Sequence, residues 1–345
     1  MTQDYELLHE DSKESLPEPE LDLHQNKMQR KLKSRHLTMI AIGGTIGTGL
    51  FVASGNSLSI AGPAGSLFAY MTVGIMVYFV VVSLGEMATL IPVSGSFNTY
   101  ASRFVDEALG FTMGWNYYLS WAISLPTEII AMTMVLRFWF PIVESWIWTL
   151  IILILLFSIN MVGVDGFGET EYWLSMIKVV AVVVFILLGL SIAFAGIHGN
   201  PPIGFQNWMI PGAPFVNGIL GVFQVYTAAF FSYGGTELVG ITAGDAENPR
   251  QTVPKAINGT FWRITIFYAL SIFVLGLLIP YNDPALPNAA NGSDGSMTPF
   301  TLVFESSYPF LFSSYPFLYL LLFFYQSFIL FLNYTTLLKN NGTLH

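Results

Sequence analysis

No cysteine occurs among the 345 residues, which excludes disulfides, thiolate metal sites and cysteine nucleophiles. Charge is scarce too: only 10 % of residues are Asp, Glu, Lys or Arg. The basic residues form no stripe that could neutralise phosphates, so no nucleic-acid partner is expected. The five histidines are scattered over the N-terminal region, the edges of apolar runs and the C-terminus. They make no gathered set for a metal or a nucleophile, so neither an enzyme nor a cofactor is indicated. What is abundant is apolar surface. Hydrophobic residues make up 53 % of the chain and mean hydropathy is +0.59, far from an ordinary soluble protein.

Runs of about 20 apolar residues are long enough to cross a bilayer. Seven occur, at 37–57, 65–88, 109–136, 146–163, 172–196, 216–243 and 261–280, with a further apolar run at 315–337. Residues 1–33 precede them without an apolar stretch or a cleavable signal and read as a disordered, acidic cytosolic tail. Lys27, Arg30, Lys31, Lys33 and Arg35 crowd the near side of the first crossing, which puts the N-terminus in the cytosol. Arg103, Arg250, Lys255 and Arg263 then also fall inside, and only Arg137 lies outside.

Inside the first crossing stands Gly43-Gly-Thr-Ile-Gly-Thr-Gly-Leu-Phe51, with four glycines in seven positions. Each glycine costs a helix about 1 kcal/mol relative to alanine, so a break is expected there. In a bilayer, the groups freed by a break need protein, water or a ligand, and half-helix ends at mid-membrane commonly hold a charged solute. A second reading stays open. Gly43 and Gly47 are also a Gly-x-x-x-Gly, which lets two helices pack closely without unwinding. A nucleotide loop is disfavoured, because no strand-to-helix context surrounds these glycines.

Three ionisable residues lie deep in the spans: Glu128, Lys178 and Glu237. Each costs at least about 2.5 kcal/mol at the bilayer centre and so points to a use. Lys178 is two turns inside its span, where it either functions or snorkels to the surface. Glu128 is too deep and short to snorkel. It is either functional or a protonated acid bonded between helices. Glu237 follows Phe231-Ser-Tyr-Gly-Gly-Thr236, a second glycine-weakened stretch, and a titrating acid beside exposed backbone is what a proton carrier needs. The two weak stretches fall in the first and sixth crossings, the spacing of an inverted repeat of five helices.

From about Ser34 to Glu305 the chain resembles the fungal and bacterial amino acid permeases of the amino acid–polyamine–organocation superfamily. Five stretches carry the resemblance: Gly43–Phe51; Ser83-Leu-Gly-Glu-Met87 with Pro92-Val-Ser-Gly-Ser96; Gly166-Phe-Gly-Glu-Thr-Glu-Tyr-Trp173 leading into Lys178; Gly235–Gly244; and Glu247-Asn-Pro-Arg250. The wording of Gly235–Gly244 is similar to the branch that moves basic amino acids.

The resemblance implies an all-α integral membrane protein, a LeuT-like inverted-repeat transporter bundle with helices 1 and 6 broken. It implies proton-coupled symport of L-amino acids across the plasma membrane. The substrate carboxylate is expected at the N–H groups of Gly47, Thr48 and Gly49 and the Thr48 hydroxyl, and the substrate ammonium at the carbonyls of Thr45, Phe231 and Gly234. Phe231 is also expected to close over the substrate. Proton coupling is expected to involve Glu237, Lys178 and Glu128, with the Lys178 ammonium standing where sodium-driven relatives hold their ion.

The C-terminal part departs from the family pattern. Between Tyr308 and Leu338, twelve of 31 residues are aromatic, and Gly, Ala and Val are absent. Helix packing in lipid needs small residues, so 306–345 reads as aberrant sequence in place of an eighth helix, leaving the second repeat incomplete. The permease domain is then 34–305, and a transport-inactive fragment or a membrane interaction protein is the alternative reading. Asn291-Gly-Ser293 falls outside the membrane and is a glycosylation acceptor in a eukaryote.

Overall fold

A computed structural model describes residues 34–93, 95–140, 142–161, 167–196, 201–245, 248–286, 298–300 and 302–303. The expected tail (1–33), the C-terminal segment (306–345), Asn291–Ser293, Gly166 and Glu247 lie outside the described residues. Among the described residues every regular element is helical. Helices α1 (Ser34–Thr45) and α2 (Thr48–Phe51) are separated by two residues, and α3 (Ala53–Leu90) follows directly. Then come α4 (Phe97–Phe104), α5 (Glu107–Trp139), α6 (Ser145–Met161) and α7 (Phe167–Ala195). Helices α8 (Gly218–Tyr233) and α9 (Leu238–Ile241) flank a second gap, and α10 (Pro249–Leu278) completes the series.

Helix α3 has 38 residues. A straight helix of that length would run about 57 Å, nearly twice the hydrocarbon thickness. It turns instead at Gly62, whose φ of +75° strains any side chain, with Pro63 behind it supplying no N–H. The N–H groups of Ala64 and Gly65, freed at this turn, donate to the Pro214 carbonyl at 3.1 and 3.4 Å. So α3 holds the end of the first expected crossing and the whole of the second.

Among the described residues, three helical stretches are long and apolar enough to cross a membrane: Ala53–Leu90, Ser175–Ala195 and Arg250–Leu278. The first and sixth expected crossings are interrupted, α1 from α2 and α8 from α9. The ends are set by ordinary chemistry. The Asp106 carboxylate caps α5 by accepting the Ala108 N–H at 2.6 Å, and Pro249 opens α10 where no N–H is needed.

Helix α10 is the spine of the bundle, packed against α1, α3 and α7. Its side chains settle where glycines leave room: Ile257 against Gly85, and Val274 against Gly189. In lipid no hydrophobic force pulls helices together, so such small-residue contacts carry much of the association. The outer faces are apolar in turn, with Phe68, Ile75, Phe79, Trp146, Ile154 and Phe157 all exposed.

Candidate functional site

The first break is built by hydrogen-bond bookkeeping. Helix α1 ends at Thr45, and Gly47 turns the backbone to φ −157°, ψ −150°, outside the helical region. The N–H groups of Leu50 and Phe51 both bond back to the Gly47 carbonyl, at 3.0 and 2.9 Å. The Ile46 carbonyl loses its helical partner in this way, and the Gly43 carbonyl loses its own where Gly47 leaves the helical region. Lys178, fully buried, answers both: its ammonium donates to the Gly43 and Ile46 carbonyls at 2.8 Å each. The snorkelling reading of Lys178 is therefore wrong, because its ammonium points into the bundle.

Glu128 arrives from α5 and is 2 % exposed. The Thr48 hydroxyl donates to its Oε1 at 2.6 Å, while Oε2 has no hydrogen-bond partner among the described residues. The Lys178 ammonium is near enough to attract this carboxyl group. The Thr48 proton is thus committed to Glu128 rather than free for a ligand. Gly49 has a second duty as well, since any Cβ there would run into Ser232 of α8.

The second break closes on itself. Helix α8 ends at Tyr233, Gly234 follows at φ −56°, ψ 141°, and Gly235 takes φ +99°, a region that favours glycine. The Gly235 N–H donates to Glu237 Oε2 at 2.9 Å, and the Tyr117 hydroxyl donates to Oε1 at 3.3 Å. The Gly234 N–H uses the Phe231 carbonyl at 3.2 Å, and the Thr236 hydroxyl uses that of Tyr233 at 3.0 Å. Glu237 is half-buried, and the Phe231 ring is 45 % exposed.

The two breaks meet. Gly235 lies so near α1 that a Cβ there would stand 2.6 Å from the Gly44 carbonyl oxygen, and Leu238 fills the space beside Gly44. Tyr268 of α10 joins them directly: its hydroxyl reaches the Thr45 carbonyl at 2.8 Å and the Ser232 carbonyl at 2.6 Å. All the residues expected at the site therefore lie on or against the paired breaks. Glu237 forms its own group with Tyr117, apart from the hydrogen bonds of Glu128 with Thr48 and of Lys178 with the first break.

Tyr268 and Tyr70 were missed in the sequence. Tyrosine belongs at membrane interfaces, so one in the middle of an apolar run needs an internal partner. That was the available signal. A cavity of about 320 Å³ also occurs, lined by Leu125, Leu153, Ile154, Leu156 and Phe157. It offers no polar group to recognise an amino acid and is not the site.

A family model described as amino acid permease matches residues 36–333. The chain belongs to the amino acid permease family. Among its relatives is the lysine-specific permease LysP of Escherichia coli, 48 % identical over 278 residues, which are 81 % of this chain and 57 % of the relative. The histidine permease HisP of Lactococcus lactis is 49 % identical over 284 residues, 82 % of this chain and 59 % of that protein. The general amino-acid permease GAP2 of Candida albicans is 48 % identical over 275 residues, 80 % and 47 % of the respective lengths. The chain thus spans about half the length of the curated relatives it matches. Membership in the permease family and the apolar helices together make it a multi-pass membrane protein.

Proposed function

We propose that this permease drives proton-coupled uptake of L-amino acids, basic ones first, across the plasma membrane, with its N-terminus in the cytosol. The observation that carries the reading is the meeting of two interrupted helices, with a buried ammonium on the carbonyls of one and a carboxyl group bound to the backbone of the other. Similarity to lysine and histidine permeases supports cationic cargo. The membrane potential favours that cargo too, by about 2.3 kcal/mol per charge per 100 mV.

In this reading the frame is a LeuT-like bundle in which α1–α2 and α8–α9 are the broken helices. The N–H groups of Gly47, Thr48 and Gly49 face the substrate carboxylate, helped by the positive end of the second half-helix. The carbonyls of Thr45, Phe231 and Gly234 take the substrate ammonium, and the Phe231 ring closes over it. Glu237 carries the proton, Lys178 holds the first break in place of a metal ion, and Glu128 links that break to α5. Proton release from Glu237 is tied to release of substrate into the cytosol.

The test is uptake of radiolabelled lysine by permease-deficient cells expressing the chain. Uptake that collapses with a protonophore and ignores sodium is the expected result. Sodium dependence with indifference to the protonophore overturns the mechanism. Uptake no higher than in empty cells, with the chain present in the membrane, overturns the transport reading itself.

A further inference from the structure

The Tyr268 side chain hydrogen-bonds to both breaks, and its ring is as constrained as its hydroxyl. It is fully buried, stacked on Tyr233 at a centroid distance of 4.8 Å and an interplanar angle of 23°. On Tyr70 it lies at 6.1 Å and 26°. Tyr70 in turn meets the Ser232 hydroxyl at 3.1 Å, so α3, α8 and α10 all contribute to fixing this phenol. The two acceptors are special. Thr45 is the last residue of α1 and Ser232 the last but one of α8, so both carbonyls belong to helix ends with no onward turn to satisfy them. A single phenolic proton, held in place by two stacked rings, spans the gap between them.

We infer that Tyr268 is a positioning residue: by donating to the Thr45 and Ser232 carbonyls it fixes the spacing of the two breaks and so aims their carbonyl groups at the substrate ammonium. The inference rests on the transport reading above. A carbonyl oxygen has two lone pairs, so Thr45 can accept from Tyr268 and still accept from a ligand. Tyr268 therefore acts as a fixed co-donor that leaves the recognition site open. Losing its hydroxyl lets the broken ends drift apart while the ring stack stays filled. The damage falls on ligands that need both ends at once.

Tyr268→Phe keeps the ring and removes only the O–H. The probes are lysine and 6-aminohexanoate, which matches lysine except that the α-amino group is missing. Competition against labelled lysine gives the affinity ratio of the two. In wild type this ratio should favour lysine, and in Tyr268→Phe it should fall about tenfold, the size expected for one hydrogen bond. The loss should appear in KM for lysine rather than in the maximal rate per transporter in the membrane. An unchanged ratio means that Tyr268 only packs, and it overturns the inference. A ratio that rises means that the phenol competes for the site, and it overturns the inference as well. Failure of wild type to bind lysine at all strikes the transport reading instead. Should Tyr268→Phe not accumulate, 3-fluorotyrosine introduced at position 268 keeps the shape and strengthens the donor. The ratio must then shift in favour of lysine, and no shift overturns the inference.

Discussion

At the first break, residues 41–51 are buried throughout and the freed carbonyls are satisfied by side chains from α7 and α10. The second break is half open, with Phe231 and Gly234 exposed, and its groups are satisfied mostly by near neighbours in sequence: Glu237, Thr236 and Gly234 itself. The first interruption is held mainly from outside, the second mainly by its own residues. The first should therefore be sensitive to distant substitutions, and the second to what stands at its own positions.

Lys178→Met tests the first half of that contrast most severely. It strips the donor from two buried carbonyls, and each unpaired group costs about 1–3 kcal/mol. Lysine uptake should be abolished and the purified chain should melt at a lower temperature, though α7 is far from α1 in sequence. Uptake close to wild type would mean that the first break needs no outside help.

Gly49→Val comes next. Its Cβ collides with Ser232, so α2 must move off α8, and lysine binding should be lost while membrane insertion stays normal. Retained affinity would overturn the placement of the substrate carboxylate at Gly47, Thr48 and Gly49.

For the second break the sharper comparison is between neighbours. Gly235→Ala forces a side chain onto φ +99°, at a cost of about 1–2 kcal/mol before its contact with the Gly44 carbonyl is added. Gly234→Ala sits at φ −56° with 3.2 Å to the Phe231 carbonyl and should be tolerated. Uptake assays should show a loss of about tenfold or more for the first and less than about threefold for the second. Equal effects would erase the local character assigned to this break.

Smaller effects belong to Glu237. Glu237→Gln retains an acceptor for the Gly235 N–H, so substrate exchange in vesicles should persist while its dependence on external pH disappears. An exchange rate that still tracks pH would move the proton site, with Glu128 the first candidate. Tyr117→Phe removes only the 3.3 Å bond to Glu237 and should lower uptake less than about threefold, as expected for a weak hydrogen bond.

Much of this was legible in the chain because it depends on local composition. The glycines at 43–49 and 234–235 mark the breaks, and single charges in apolar runs mark Glu128, Lys178 and Glu237. Which carbonyls Lys178 would reach was not legible, since that depends on how α7 sits against α1. Nor was the commitment of the Thr48 hydroxyl to Glu128, 80 residues on in the chain. Tyr268 lay hidden for a related reason. Its acceptors are backbone carbonyls, which every residue carries and no motif reports. The turn at Gly62 and Pro63 was missed between two apolar runs because hydropathy does not register direction.

The glycine contacts also bear on the order in which the protein can be made. Gly44, Gly49, Gly74, Gly85 and Gly189 are notches, and the side chains that occupy them are Leu238, Ser232, Tyr233, Ile257 and Val274. Each of these five notches is synthesised well before its occupant, whereas others, such as those at Gly240 and Gly276, run the other way. During synthesis from the N-terminus the early helices therefore emerge before the side chains that fill these notches, which α8, α9 and α10 supply. A ribosome stalled before residue 218 would leave all five notches without the side chains that fill them.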